Sequence, residues 1–519
     1  MTTDPKRILV VYYNRDDAAE TRLTMTHHIR TLDASDTKHD IIYYNAFNDY
    51  PSPQLGEEPL PVPIWAKDAH FDAAILHYSF LAFHWNEMAL IRWKRLFHWI
   101  GEMNCLKAAI PQDEYDRAGL LDEWLFEWDV AVVFSCFDAD KRGPLYPFTR
   151  NRAKFEPCLT GYIDEKSAQQ YKEHLLPLHE RKFDIVYRAR HLPFWYGSAG
   201  QLKYRIGDVV AAHAQRLGFT CDISTRAEDT IPGSRWLDFL ASSRAVIGCE
   251  SGVSVVDWRG EVEAQVRAIL RAEPGLSFEE VSARMPAGWD SYRFLAISPR
   301  HFEAIITKTC QILVEGDYSG VLEPNKHYIP LKPDFSNLDE ALDKLRDDCF
   351  VNEMVERAYH DIYLTGKYTY RAFAHQMEEA LFNPNTWNND PLIITVRDKE
   401  KDGAMDRTLQ SLERQLIVER HNYALQEAKL LEARQYIGEL TGQLQVRVNE
   451  LQNYMQLHFD DLQAHLESKA QLQENLQQQL KTQLQISRKE VIVFAVLLAL
   501  GSAVISAGLM LVIMFSLRY

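Results

Sequence analysis

The sequence predicts two Rossmann-like α/β domains, followed by a long coiled-coil helix and one C-terminal transmembrane helix. Three observations carry this. Apolar runs bounded by charge alternate with helical stretches twice over, up to about residue 390. A heptad-like apolar repeat begins at Leu409. Val491–Phe515 is an unbroken run of 25 residues without a charge.

The first α/β domain is expected over 1–160. Arg7–Tyr13 (RILVVYY) reads as a parallel strand buried on both faces, because its apolar residues are continuous and not alternating. A helix at about Ala18–Leu32 precedes a second strand, Asp40–Asn45. Further strands are expected at Phe71–His77, Lys107–Pro111 and Val130–Ser135, with Trp- and Leu-rich helical segments between them.

The pattern restarts in 161–390. Gly161–Leu178 links the halves, and Asp184–Tyr187 opens the second set of strands. Leu202–Leu217 reads as a helix. Thr220–Ser224, Ala245–Cys249, Phe294–Ile297 and Gln311–Val314 follow as strands, and Asn337–Arg346 and Glu353–Leu381 as closing helices. Two such halves facing each other place a ligand cleft near the C-terminal ends of both sheets.

From Leu409 the apolar residues continue through Leu412, Leu416, Tyr423, Leu430, Ile437, Leu440, Leu444 and Leu451 on a surface of Gln, Glu, Lys and Arg. This predicts a coiled coil over 404–488 and, through it, a homo-oligomer. The seam shifts near Phe459, and the leucines at 472, 476, 480 and 484 step by four. As a helix the run 491–515 spans about 37 Å, enough for a hydrocarbon layer of ~30 Å. Arg488 and Lys489 flank its near side and Arg518 its far side, which predicts a single-pass anchor with both α/β domains in the cytosol, at a bacterial inner membrane.

The formal net charge of −16 argues against nucleic acid as a partner, while leaving room for a local basic pocket. Seven scattered cysteines without a CxxC read as free thiols in a reducing compartment. The N-terminus enters a strand directly and shows no signal peptide.

Three clusters follow strands of the second domain. Tyr187-Arg188-Ala189-Arg190-His191 ends the first, with Lys203 at the start of the next helix, a placement of cations that suits a diphosphate. Gly248-Cys249-Glu250-Ser251-Gly252 allows close backbone approach, with Glu250 as an acceptor for sugar hydroxyls. In Ile297–Leu331, Arg300 leads into Glu303 at a helix start, where a carboxylate serves hydroxyl recognition or complements the helix dipole.

On these residues the second half resembles the donor-binding domain of GT-B glycosyltransferases of the glycosyl-transferases-group-1 type. The resemblance covers about residues 180–382 and is only architectural over 1–160. It implies that Arg190 and Lys203 hold the diphosphate of a nucleotide sugar, that Glu250 contacts the donor sugar and that Glu303 binds ribose. Ser251, Gly252 and Arg300 complete the expected donor site. Glu250 and Glu303 stand 52 residues apart here, far wider than in the family, so Val253–Ala296 reads as an insertion with a helix at about Glu261–Ala272.

The first half must supply the acceptor side. His77 and His84 follow one strand and Asp113 and Glu114 another, and Asp113, His84 and His77 are the candidate bases. No DxD motif stands in a suitable loop and the fold usually works without a metal, so neither metal nor cofactor is expected; cations and helix N-termini would stabilise the leaving group. The expected function is transfer of a sugar to a glycan or lipid-linked acceptor at the cytosolic membrane face, in surface polysaccharide synthesis. A non-enzymatic membrane-anchored scaffold or polysaccharide chain-length regulator is the alternative, and a transferase degenerate at its spread glutamates is a third reading.

Overall fold

In β1 (Arg7–Tyr12) the residues Ile8 to Val11 are buried, and they alternate between two separate cores. Leu9 and Val11 face a helix-covered side rich in aromatics, with Trp93 and Trp124. Ile8 and Val10 face the other side, which is covered by Tyr370, Phe373 and Met377. That is why the run is continuously apolar. β1 lies in a six-stranded parallel sheet with β2 (Asp40–Asn45), β3 (Ala73–His77), β4 (Leu106–Ile110), β5 (Val132–Ser135) and β6 (Lys154–Pro157). The order is β2-β1-β3-β4-β5-β6. These elements come from a computed structural model, which describes residues 4–15, 22–49 and 59–383. Towards the C-terminus it also describes 441–442, 444–449, 452, 454–456, 458–460, 462–479, 495–503 and 510.

The second sheet has five parallel strands in the order β13-β12-β9-β7-β8. They are β7 (Phe183–Arg188), β8 (Cys221–Ser224), β9 (Ser243–Gly248), β12 (Cys310–Val314) and β13 (Ile329–Leu331). Ile185, Ile247 and Ile312 pack on one side with Val210 and Leu342, while Val186 and Val246 pack on the other with Leu240 and Ala304. The strand expected at Phe294–Ile297 lies outside this sheet. As β11 (Phe294–Ala296) it pairs antiparallel with β10 (Ser251–Val253). Two facing Rossmann-like sheets of this kind fit the GT-B plan, and the last helix, Tyr370–Phe382, returns to cover the first sheet.

The segment between β10 and β11 carries the expected helix, Glu261–Ala272, and a small core of its own around Val266, Val281 and Met285. It grips the first domain. Arg259 pairs with Glu87 and Glu123, and Arg117 with Glu263. Trp258 lies so close to Gly119 that a Cβ there would stand 2.4 Å from the indole. Tyr196 Oη donates to Asp116 Oδ2 at 2.8 Å.

One buried carboxyl braces the first domain. Glu114 is fully buried and accepts from Ser135 Oγ at 2.7 Å, Cys136 N at 2.7 Å and Tyr146 Oη at 2.5 Å. These donors favour the ionised form, but burial outweighs them and pushes its pKa from 4.5 up to about 7. Glu114→Ala strands three donors, each at a cost of ~1–3 kcal/mol, so a drop on the order of 3 kcal/mol or more is expected in urea unfolding. Because the folded pKa is raised, the contribution of this carboxyl is full below its unfolded value and is lost as pH rises through the folded one. The gap between wild type and variant should therefore be wider at pH 5 than at pH 8.

The C-terminal expectations need correction. Residues 1–425 and 426–519 form two separate units. Of the expected coil, 404–440 lies outside the described residues. Helix is present over 462–479 and in shorter pieces from 441, with Leu462, Leu466 and Leu472 exposed. Nothing among the described residues covers that face, so coiled-coil pairing is not supported. The transmembrane helix is overturned: among the described residues no helix is long and apolar enough to cross a membrane. A crossing takes about 20 consecutive helical residues. Within Val491–Phe515 the described stretch is 495–503 together with 510, and the rest lies outside the described residues. The single-pass membrane localisation falls with it.

Candidate functional site

In doubly wound sheets, ligands bind beyond the carboxyl ends of the strands where the winding reverses. Here the reversals lie between β1 and β3 in one sheet and between β7 and β9 in the other. The loops that leave these strands carry Arg22, His77 and Tyr78 from the first domain, and Arg188 to Gly197, Cys249 and Glu250 from the second.

Three cations converge at this place. Lys203, in the helix Gly197–Arg216, interacts electrostatically with Arg300, Arg22, Asp113 and the Cys249 thiol. Its Nζ donates to Ser251 Oγ at 3.3 Å. Burial lowers the ammonium below the ordinary lysine range. Arg300 donates to Arg188 O at 3.1 Å and stands 5.9 Å from the Tyr187 ring. Among the described residues, no carboxylate forms an ion pair with Lys203, Arg300 or Arg22. Three cations close together oppose folding even with the charges of Asp113 and Glu303 acting on Lys203 and Arg300, and such a group is favourable once an anion joins it.

Arg190 stands apart from this cluster. It is exposed, and its guanidinium donates to Thr230 Oγ1 at 3.1 Å. The long loop HLPFWYGSAG separates it from Lys203 in sequence. Arg22 is a member that sequence reasoning missed. Arg22 lies far away in the chain, and no local motif marks it.

Gly252 holds the neighbouring ribbon. Its φ is 132°, and a Cβ would lie 1.9 Å from Phe294 O. Only glycine fits this approach. Gly252→Ala should destabilise the protein on the order of 3 kcal/mol, read from urea unfolding, and displace Ser251 from Lys203.

The two glutamates are engaged already. Glu250 accepts from Tyr318 N at 2.9 Å and lies against Gly316, and burial raises its pKa. Glu303 accepts from Thr24 Oγ1 of the first domain at 2.8 Å and from Trp236 Nε1 at 2.6 Å. Burial raises its pKa too. It sits within the helix Pro299–Ile306, one turn beyond its start, and joins the two domains beside the cleft.

The three candidate bases have distinct surroundings. His77 is buried, with Nδ1 accepting from Ser79 N at 3.1 Å and Nε2 3.1 Å from His28 Nδ1. It caps the short helix Tyr78–Leu81. His84 is buried, and its Nδ1 donates to Leu81 O at 2.7 Å. Burial lowers the ring to about 4, against the backbone groups of Leu81 and Asp116, which favour its charged form. Both rings are packed away from solvent. Asp113 is exposed, directly after β4, with its backbone in the left-handed region at φ 53°. Tyr115 Oη donates to its Oδ1 at 2.5 Å. Its charge acts on both Lys203 and Tyr78. A carboxylate of the first domain thus acts on a cation of the second. Among the described residues no group of three or more His, Cys, Asp or Glu side chains is arranged to hold a metal ion.

No family model matches the chain, and no curated protein does. Solved structures share its outline. The DNA-modifying enzyme β-glucosyltransferase aligns over 72% of this chain and 99% of its own, with 10% identity and a TM-score of 0.40. Sucrose-phosphate synthase from Thermosynechococcus elongatus covers 72% of this chain and 98% of its own, with 14% identity and a TM-score of 0.37. TarM covers 60% of this chain, which spans 55% of TarM, with 11% identity and a TM-score of 0.34. Likeness of this order assigns no activity, and we take the function from the residues of the cleft.

Proposed function

We propose that the protein is a glycosyltransferase that moves a sugar from a nucleoside-diphosphate donor to an acceptor hydroxyl of the glycan class. The observation that carries this reading is the cluster of Lys203, Arg300 and Arg22, unpaired among the described residues and gathered where both sheets reverse their winding. A diphosphate supplies an ion-pairing partner, with the arginine offering a planar fork and the lysine a point charge.

In this reading the acceptor oxygen bonds to the anomeric carbon as the bond from that carbon to the phosphate oxygen breaks, and Lys203, Arg300 and Arg22 stabilise the charge that develops on the departing diphosphate. Asp113, whose charge acts on Lys203, accepts the proton of the acceptor hydroxyl. Glu303 is the proposed ribose ligand and Glu250 the proposed sugar ligand, each rearranging from its present partners when the donor enters. Arg190 is a peripheral phosphate contact.

The test is to incubate the full chain with UDP-, GDP- and ADP-sugars and glycan acceptors, and to follow release of the nucleoside diphosphate. Release from at least one donor is expected. A chain that neither binds nor turns over any of them is a scaffold, and the proposal is then wrong.

A further inference from the structure

The ends of β5 and β6 carry two cysteines that the proposed reaction does not use. Ser135 and Pro157 are register partners on these parallel strands, so Cys136 and Cys158 occupy the next pair of positions. Their Sγ atoms lie 3.7 Å apart, and both thiols are free. Residues opposite one another on neighbouring strands have the Cα separation that a disulfide requires, about 4.4–6.8 Å. The two thiols already meet, so bond formation needs the sulfurs to close to the ~2.05 Å of a disulfide and Cys158 Sγ to leave Phe134 O, to which it donates at 3.1 Å.

The surroundings give this pair a mechanical position. The Cys136 amide donates to Glu114 Oε1, one residue from Asp113. Cys158 begins the segment that passes from the first domain to the second, and its amide donates to Ser135 O at 2.9 Å. Tyr162, in the same segment, stacks on Phe373 of the last helix with ring centroids 4.4 Å apart. A covalent bond between Cys136 and Cys158 ties the start of the inter-domain connection to the strand end that braces the Asp113 loop.

We propose that Cys136 and Cys158 form a reversible disulfide, a redox-responsive staple at the base of the connection between the two Rossmann-like domains. The co-reactant is a small-molecule disulfide. Cys136, half-buried where Cys158 is buried, is the entry point. Its thiolate attacks the small disulfide, forming a mixed disulfide and expelling one small thiolate, which takes up the proton that Cys136 released. The Cys158 thiolate then attacks Sγ of Cys136 and expels the second small thiolate, protonated in turn by the proton from Cys158. Two protein thiols are oxidised, and one small disulfide is reduced to two thiols.

The inference does not depend on the proposed glycosyl transfer. To test it, the folded full-length protein is treated with oxidised glutathione, quenched with an alkylating agent and digested. The expected result is a cross-linked peptide pair joining Cys136 to Cys158, lighter than the two thiol peptides by about two mass units and lost on dithiothreitol treatment. Cys136→Ser and Cys158→Ser should each abolish the cross-link, and Cys158→Ser should trap glutathione on Cys136. The oxidised wild type should melt higher than the reduced form by about 4 °C or more, as a closed chain loop predicts, and neither variant should shift. Oxidation confined to other cysteines, such as the exposed Cys349, would overturn the proposal. So would a Cys136–Cys158 link that appears only after denaturation.

Discussion

Lys203→Ala is expected to slow sugar transfer about 10²–10³-fold, the loss that follows removal of one pre-positioned group from a developing anion. Nucleoside-diphosphate affinity should fall about tenfold or more, since a hydrogen bond to a charged group contributes ~1.5–3 kcal/mol. Folding should be spared. Among the described residues the Lys203 ammonium donates only to Ser251 Oγ, at 3.3 Å, and burial disfavours its charge. Its folded pKa lies below the unfolded one, so the charged side chain works against stability at neutral pH. The alanine variant should match or exceed wild type in urea unfolding while its activity collapses. Arg300→Ala should show the same split, with a smaller gain in stability because its guanidinium also donates to Arg188 O.

Asp113→Asn carries the second large effect. In the proposed role of general base Asp113 would contribute about 10²–10⁴ in rate, so kcat should fall by that factor while the donor KM changes little. Asparagine is the informative substitute because it retains an oxygen that accepts from Tyr115 Oη and tolerates the left-handed backbone at this position. Thermal unfolding of the variant should therefore match wild type. Nucleoside-diphosphate binding should be equal or tighter, since one carboxylate acting on Lys203 is neutralised. A parallel loss in His84→Ala would have another origin. That ring is buried and held by Leu81 O, and its removal opens a cavity behind the Asp113 loop.

Much of the fold could be read from the sequence because parallel strands buried on both faces leave continuous apolar runs. Asp40–Asn45 and the inserted helix Glu261–Ala272 coincide with their expected limits. β6 escaped notice because Lys154-Phe155-Glu156-Pro157 is a short edge strand with two charges and a proline, features that edge positions permit. β10 is only three residues long and has glycine at its centre. The expected membrane span is not upheld, since among the described residues no helix is long and apolar enough to cross a membrane.

The site was legible where chemistry sits at strand ends. Lys203, Ser251 and Arg300 come from separate segments: Lys203 lies in the helix after β7, Ser251 opens β10, and Arg300 follows β11, the partner of β10. Long-range partners were not legible. Thr24 meets Glu303 across 279 positions, and no local pattern announces that contact. Nor does the spacing of residues reveal that Glu250 and Glu303 are already occupied by Tyr318 N, Thr24 and Trp236. The histidines misled because a ring that follows a strand looks available in sequence, whereas His77 and His84 are both enclosed.

The central claim is that unpaired cations in the cleft hold a nucleoside diphosphate. Calorimetric titration of the full chain with UDP, GDP and ADP, repeated on Lys203→Ala and Arg300→Ala, tests it most directly. Saturable binding of at least one nucleotide by the wild type is expected, weakened about tenfold or more in each variant with unfolding midpoints no lower than wild type. Wild-type affinity in both variants, or no binding of any of the three nucleotides by the wild type, would contradict it.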